Sequence, residues 1–139
     1  MNINKIFSLF SSSEEPEKKV DSVDLSNSPT VWIGMFKKLI LNYETFSKQM
    51  IQFFKLSDPP LDTDEIEKAS SYMVYERAYE QLSKLDLTNQ SHLDSIYLYS
   101  DDTFKMTLHS ALNHYESEEE YEKCAFIKQI LDIGNFSQE

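Results

Sequence analysis

A regular apolar pattern between two proline-containing segments constrains the fold more than any other feature of the sequence. It places seven large apolar side chains at alternating four- and three-residue steps: Trp32, Phe36, Leu39, Tyr43, Phe46, Met50 and Phe53. This spacing aligns all of them on one face of an α-helix. Ser28-Pro29 suits the start of such a helix, and Asp58-Pro59-Pro60 would end it. The pattern predicts one long helix over residues 28–56.

Turn-forming residues are scarce along the rest of the chain. Only 2 Gly and 4 Pro occur in 139 residues, and no pair of segments has hairpin chemistry, so we expect an all-α bundle of four to five helices. The second helix should open with Asp62 and Glu65 as a capping pair, and two more should open at Asp101 or Asp102 and at Ser117 with Glu120. A short helix should lie near 93–97, with an irregular segment around Tyr97-Leu98-Tyr99 as the alternative. The predicted inner face of the second helix consists of Ile66, Ala69, Met73, Ala78, Leu82 and Leu85.

The chain divides by composition into four parts. Residues 1–10 place Ile3, Ile6, Phe7 and Phe10 on one helical face, which predicts an amphipathic docking peptide. The alternatives are that this segment folds back onto its own bundle or is a frayed terminus. Residues 11–27 have scarcely any large apolar side chain and predict a disordered acidic linker. The helical bundle should occupy residues 28–133, a size suited to one domain, and residues 134–139 should form a tail beyond Gly134.

Charge and hydropathy exclude several kinds of partner. With 24 acidic and 13 basic residues the net charge is −11, which disfavours direct nucleic-acid binding and binding to anionic membranes. No stretch approaches the ~18 apolar residues of a membrane span. Cys124 is the one cysteine, and the apolar start is too short for a signal peptide, so we expect a cytoplasmic protein. Arginine occurs once among the basic residues, at Arg77, a bias typical of low-GC bacteria and their phages.

No residue pattern in the sequence predicts catalysis, a metal or a cofactor. The two glycines, Gly34 and Gly134, are isolated, so no phosphate-binding glycine loop is expected. His109 and His114 are five residues apart and do not share a helical face, which is unlike a zinc site. Cys124 falls on the predicted inner face of its helix, where a thiol should be buried and inert. We therefore expect a protein that is not an enzyme.

The C-terminal segment resembles a known interaction module. Leu108 and Leu112, followed by the run Glu120-Tyr121-Glu122-Lys123-Cys124-Ala125-Phe126-Ile127-Lys128, resemble the UVR motif, a helical hairpin of UvrB and UvrC repair proteins and of Clp-associated proteins. The resemblance covers residues 108–131. It implies a protein–protein contact hairpin whose helices approach closely at Cys124 and Ala125, with Tyr121 and Ile127 filling the gap on either side. Tyr121, Glu122 and Lys128 would contact the partner.

These observations favour a non-catalytic interaction or adaptor protein, phage-encoded or from a low-GC bacterium. The sequence identifies no partner protein. The 28–56 helix is also a candidate surface for self-association. A second hypothesis is a structural component of a larger assembly such as a phage virion, which would place the chain in the virion as well as the host cytoplasm. A third is an acidic inhibitor that imitates nucleic acid, using the carboxylates of Glu116, Glu118, Glu119, Glu120 and Glu122.

Overall fold

The computed structural model describes residues 27–59 and 62–134, and within these ranges the chain forms five α-helices and no strand. The helices are α1 (Pro29–Lys55), α2 (Asp64–Leu82), α3 (Gln90–Leu98), α4 (Asp102–Ser117) and α5 (Tyr121–Ile133). The all-α bundle predicted from the sequence is confirmed. The first helix is the longest and begins and ends within one residue of its predicted bounds.

Side chains predicted to cap helices do so at two of the four expected starts. The Ser28 side chain accepts a hydrogen bond from the Thr30 amide at 3.3 Å, and Asp101 accepts one from the Phe104 amide at 2.8 Å. At α2 the Asp62 carboxylate instead accepts from the Asp64 amide, 3.0 Å away, without forming the reciprocal pair with Glu65. These bonds satisfy amides that have no partner within the first helical turn.

The predicted start of α5 at Ser117 is wrong. Ser117 is the last residue of α4, and its hydroxyl donates to the carbonyl of His114, 2.7 Å away. The chain reverses over residues 118–120, where Glu119 adopts a positive φ of 58°. Because Ser117 lies within α4 and the N-cap position of α5 falls at Glu120, the Ser117 hydroxyl is not placed to cap α5.

The hydrophobic core lies at one end of the long helix. From α1 it takes Trp32, Ile33, Phe36 and Ile40, and it adds the C-terminal part of α2, Ile96 of α3, and the inner faces of α4 and α5. The rings of Phe36 and Phe104 meet edge to face with centroids 6.1 Å apart, and both side chains are fully buried. Burial of aromatic side chains at this junction fixes α4 against α1.

The other end of α1 runs past the core together with the start of α2. We call residues 43–55 and 64–74 the α1–α2 tip. The two helices are antiparallel, and the Tyr43 hydroxyl donates to the carbonyl of Glu67 at 3.4 Å. No residue of the tip belongs to the core cluster of the described ranges. The seam predicted along α1 is therefore buried in its first half and exposed at Phe46 and Phe53 in its second.

The expected inner face of α2 is wrong in its first half. Ile66 and Met73 are each 57% exposed and Ala69 is exposed, whereas Ala78, Leu82 and Leu85 are buried as predicted. The reason is that the core takes residues of α2 only from Tyr75 onward, so the apolar side chains of its first turns remain at the surface.

Candidate protein-binding surfaces

An apolar groove runs between the two helices of the tip. It has a volume of about 320 Å³, and α1 lines it with Tyr43, Phe46, Ser47, Met50, Ile51 and Phe54. The opposite wall belongs to α2, whose large apolar contributions are Ile66, Met73 and Val74. Because an apolar cavity of ~150 Å³ holds one benzene, the groove has room for about two large side chains. Its size is within the range of ligand-binding clefts.

Charges are unevenly placed around the groove. Glu67 is the one charged residue among those that line it. The four lysines of residues 28–56 (Lys37, Lys38, Lys48 and Lys55) and the single Glu44 give that segment a net charge of +3. Lys37 pairs with Asp101 at 3.2 Å, while Lys38 and Lys48 are exposed on the same helix. The helix that carries the apolar seam therefore also presents positive charge.

The second candidate surface is the hairpin of α4 and α5. Its buried side chains include Ala111 of α4, which is 1% exposed, and Cys124, Ile127 and Leu131 of α5. The burial of Cys124 agrees with prediction. Ala111 and Cys124 are both small, and small side chains on buried helix faces allow neighbouring helices to pack closely.

The expected roles of Ala125 and Tyr121 in this contact are wrong. Ala125 is exposed and Tyr121 is 65% exposed, whereas Ile127 is buried as predicted. Tyr121, Ala125 and Lys128 are separated by four and three residues and so share the outer face of α5. The buried face follows Cys124, Ile127 and Leu131 instead.

The structure brings the predicted contact residues of α5 together on that outer face. Tyr121, Glu122 and Lys128 are all exposed within two turns of helix. Lys128 lies 3.9 Å from the Glu116 carboxylate of α4, a distance at the outer limit of an ion pair. A surface pair of this kind contributes little to stability, so both side chains are free to exchange partners.

A polar cluster joins the hairpin to α2 through hydrogen bonds and an ion pair. The Tyr115 hydroxyl lies 2.9 Å from the carbonyl oxygen of Tyr75 and 3.0 Å from the Glu76 carboxylate. The Lys123 ammonium is 2.9 Å from the same carboxylate and 3.3 Å from that of Glu120. It also lies 4.9 Å from the centre of the Tyr115 ring, where a cation is attracted by the aromatic face.

This cluster determines the ionisation of Glu76. Burial acts to raise the pKa of Glu76, but hydrogen bonds from Lys123 and Tyr115, with the positive charge of Lys123, hold that pKa below its usual value of 4.5. A carboxyl whose pKa is lowered by folding adds stability above its unfolded pKa, and that stability is lost as the pH falls through the folded pKa.

We therefore expect the free energy of unfolding of the Glu76→Gln variant to depend less on pH in the acidic range than that of the wild type. At neutral pH the variant should be less stable, by about 1 kcal/mol or less because the pair is partly exposed. The difference from the wild type should shrink as the pH falls through and below about 4.5. Urea titrations followed by circular dichroism over this range would measure it. Glu80→Gln, on an exposed position one turn along α2, is the control and should keep the wild-type profile. A constant difference at every pH would contradict the assignment.

The three histidines have different surroundings. The His92 ring accepts a hydrogen bond from the Asp86 amide at 2.8 Å and contacts Trp32 edge to face, while His109 is exposed. His114 stacks on Tyr75 with ring centroids 4.5 Å apart, and burial lowers its pKa. Within the described ranges, no three potential metal ligands are grouped.

The acidic run at the turn between α4 and α5 is partly neutralised by its own neighbours. Glu120 pairs with Lys123, and Glu116 lies beside Lys128. Glu118, Glu119 and Glu122 are exposed around the turn. Three exposed carboxylates at one helix connection are a typical solvated surface.

No helix in the described residues is both long and apolar enough to cross a membrane. No family model matches the chain, and comparison with curated proteins and with solved structures finds none that is significantly similar. Ile3, Ile6, Phe7 and Phe10, residues 11–26 of the linker and most of the predicted tail lie outside the described residues. Sequence reasoning did not find the groove, although the exposed second half of the α1 seam is its main wall.

Proposed function

We propose that this protein is a non-catalytic adaptor that binds another protein through the α1–α2 tip. The observation that carries the proposal is the apolar groove of about 320 Å³ whose walls are helical side chains that no core element covers. Apolar surface grouped in this way is typical of interaction sites, since monomeric proteins rarely expose large contiguous apolar patches.

The shape of the groove favours a helical segment as its ligand. The apolar side chains that line it from α1 recur every three or four residues, and Ile66, Met73 and Val74 face them from α2. An apolar groove between two helices of this kind matches an amphipathic helix that inserts its large side chains. Space for about two aromatic groups indicates a partner helix with two bulky apolar anchors. Exposed Lys48 and Lys55 on α1 favour a partner helix that is acidic along one edge.

The outer face of α5 is a second contact surface in this proposal. Tyr121 is of a residue type that is enriched at protein interfaces. The opposite charges of Glu122 and Lys128 on the same face could determine which partner binds. The resemblance to the UVR hairpin supports this use of the segment. Two separate surfaces on one small domain would allow the adaptor to bind bivalently.

The test is affinity capture from the source cell with three forms of the full chain. Phe46→Asp places a charge in the groove wall and should abolish capture of the partner, whereas Met106→Asp should leave it unchanged. Phe46 and Met106 are both helical and 59% exposed, so the control matches the test position in exposure and in the charge added. Loss of the same protein with both variants, or with neither, would refute the groove as the binding site.

The same exposed side chains favour assembly into a larger structure as a second candidate function. Phe53 and Leu56 are 69% and 80% exposed near the end of α1 and do not line the groove. They would be buried if copies of the chain associated through this helix. Light scattering separates the candidates, because an adaptor remains a monomer as concentration rises and an assembly component forms oligomers.

A further inference from the structure

We propose that, in the free protein, residues 1–10 of the same chain occupy the α1–α2 groove and must be displaced when a partner binds. This inference rests on the proposed function, since the groove is the same surface. It assigns the docking peptide predicted from the sequence to a site within its own chain.

The dimensions of the peptide and the groove agree. As a helix, ten residues would be about 15 Å long, and the groove wall from Tyr43 to Phe54 spans about 16 Å of α1. Ile3, Ile6, Phe7 and Phe10 form a single apolar face, and two bulky side chains of that face would fill the available volume. An isolated helix of this length is marginal in water, so it gains order only by docking.

The connecting segment is long enough to deliver the peptide. Residues 11–27 can extend to about 56 Å, whereas Met50, near the middle of the groove, lies about 32 Å along α1 from Pro29. A tether of this length holds the peptide near its site at a millimolar effective concentration, so even a weak contact is substantially occupied.

The negative charge of the connecting segment and the positive charge of α1 favour the docked position. It contains five acidic residues and two lysines, a net charge of −3, and it must follow α1, whose segment carries +3. Lys38 and Lys48 are exposed along that path. The peptide itself carries Lys5 and no acidic residue, and the first turn of α2 contains Asp64, Glu65 and Glu67, of which Glu67 lines the groove. Opposite charges on both sections of the path favour the docked position.

A spin label on the peptide tests the proposal in the full-length chain. Ser8→Cys lies opposite the apolar face, and Cys124 is buried, so the new cysteine is the one that reacts with the label. The methyl signals of Met50 and Met73, which line the groove, should be broadened several-fold more than that of Met106 on α4. Adding Phe7→Asp should abolish the difference, and Asn4→Asp, with the same charge on the polar side, should preserve it.

A mixing experiment distinguishes docking within one chain from docking of a second copy. When a spin-labelled chain without isotopes is mixed with an isotope-labelled chain without a spin label, broadening at Met50 and Met73 would show that a second copy occupies the groove, which would overturn the proposal. Absence of selective broadening within the labelled chain would also overturn it. Either result leaves the capture experiment with Phe46→Asp as an independent test of partner binding, so the two proposals fail separately.

Discussion

Replacing Phe104 with alanine is expected to lower the free energy of unfolding by about 3–5 kcal/mol, the usual cost of removing a large side chain from a close-packed core. Phe104 is fully buried and meets Phe36 edge to face across the junction of α4 with α1. The cavity would open at the point where the long helix is fixed to the bundle. Urea denaturation followed by circular dichroism gives the value directly.

Phe53→Ala is the matched control for this measurement. It removes the same atoms from a helical phenylalanine that is 69% exposed, and it should change stability by no more than about 0.5 kcal/mol. A cost at Phe53 comparable to that at Phe104 would show that the tip is buried in the protein in solution, and that the division of α1 into a core half and an exposed half is wrong.

The second large effect is expected at Ala111. Ala111→Leu should cost about 1–3 kcal/mol, because Ala111 is 1% exposed and three additional carbon atoms must be fitted into a close-packed core. Ala125→Leu, the same change on the exposed face of α5, should be within about 0.5 kcal/mol of the wild type. Thermal melts of the two variants would establish which alanine is buried. Equal destabilisation of the two variants would show that Ala125 is also buried.

The positions of α1 and α4 were predictable from the sequence because their signals are local. Ser28-Pro29 and Asp58-Pro59 delimit α1 through capping and through the missing proline amide, and Asp101 opens α4 in the same way. Such signals act within one turn of helix and need no knowledge of the tertiary structure. The class of fold followed from them, together with the scarcity of glycine and proline.

The end of the core along α1 was not predictable in this way. Phe36 and Phe46 belong to the same periodic seam, yet the first is fully buried and the second 59% exposed. What separates them is the reach of α3, α4 and α5, which cover one end of the α1–α2 pair and leave the other bare. Periodicity reports which face of a helix is apolar, and it does not report how far the neighbouring helices extend.

The phase of α5 was ambiguous for a related reason. Tyr121 with Ala125 and Cys124 with Ile127 are both plausible inner pairs when only one turn is considered. The continuation through Ile130 and Leu131 decides between them, because both side chains are buried beside Cys124 and Ile127. The groove itself was beyond the reach of single-helix patterns, since it exists only between Met50 of one helix and Met73 of another.

The separation of the tip from the core has a consequence for hydrogen exchange. Backbone amides near Phe36 and Ile40 are released only when the whole bundle unfolds, whereas those near Met50 and Phe54 are released by separation of two helices alone. We therefore expect amides of the tip to exchange faster than those of the core half of α1, as in a local unit of lower stability.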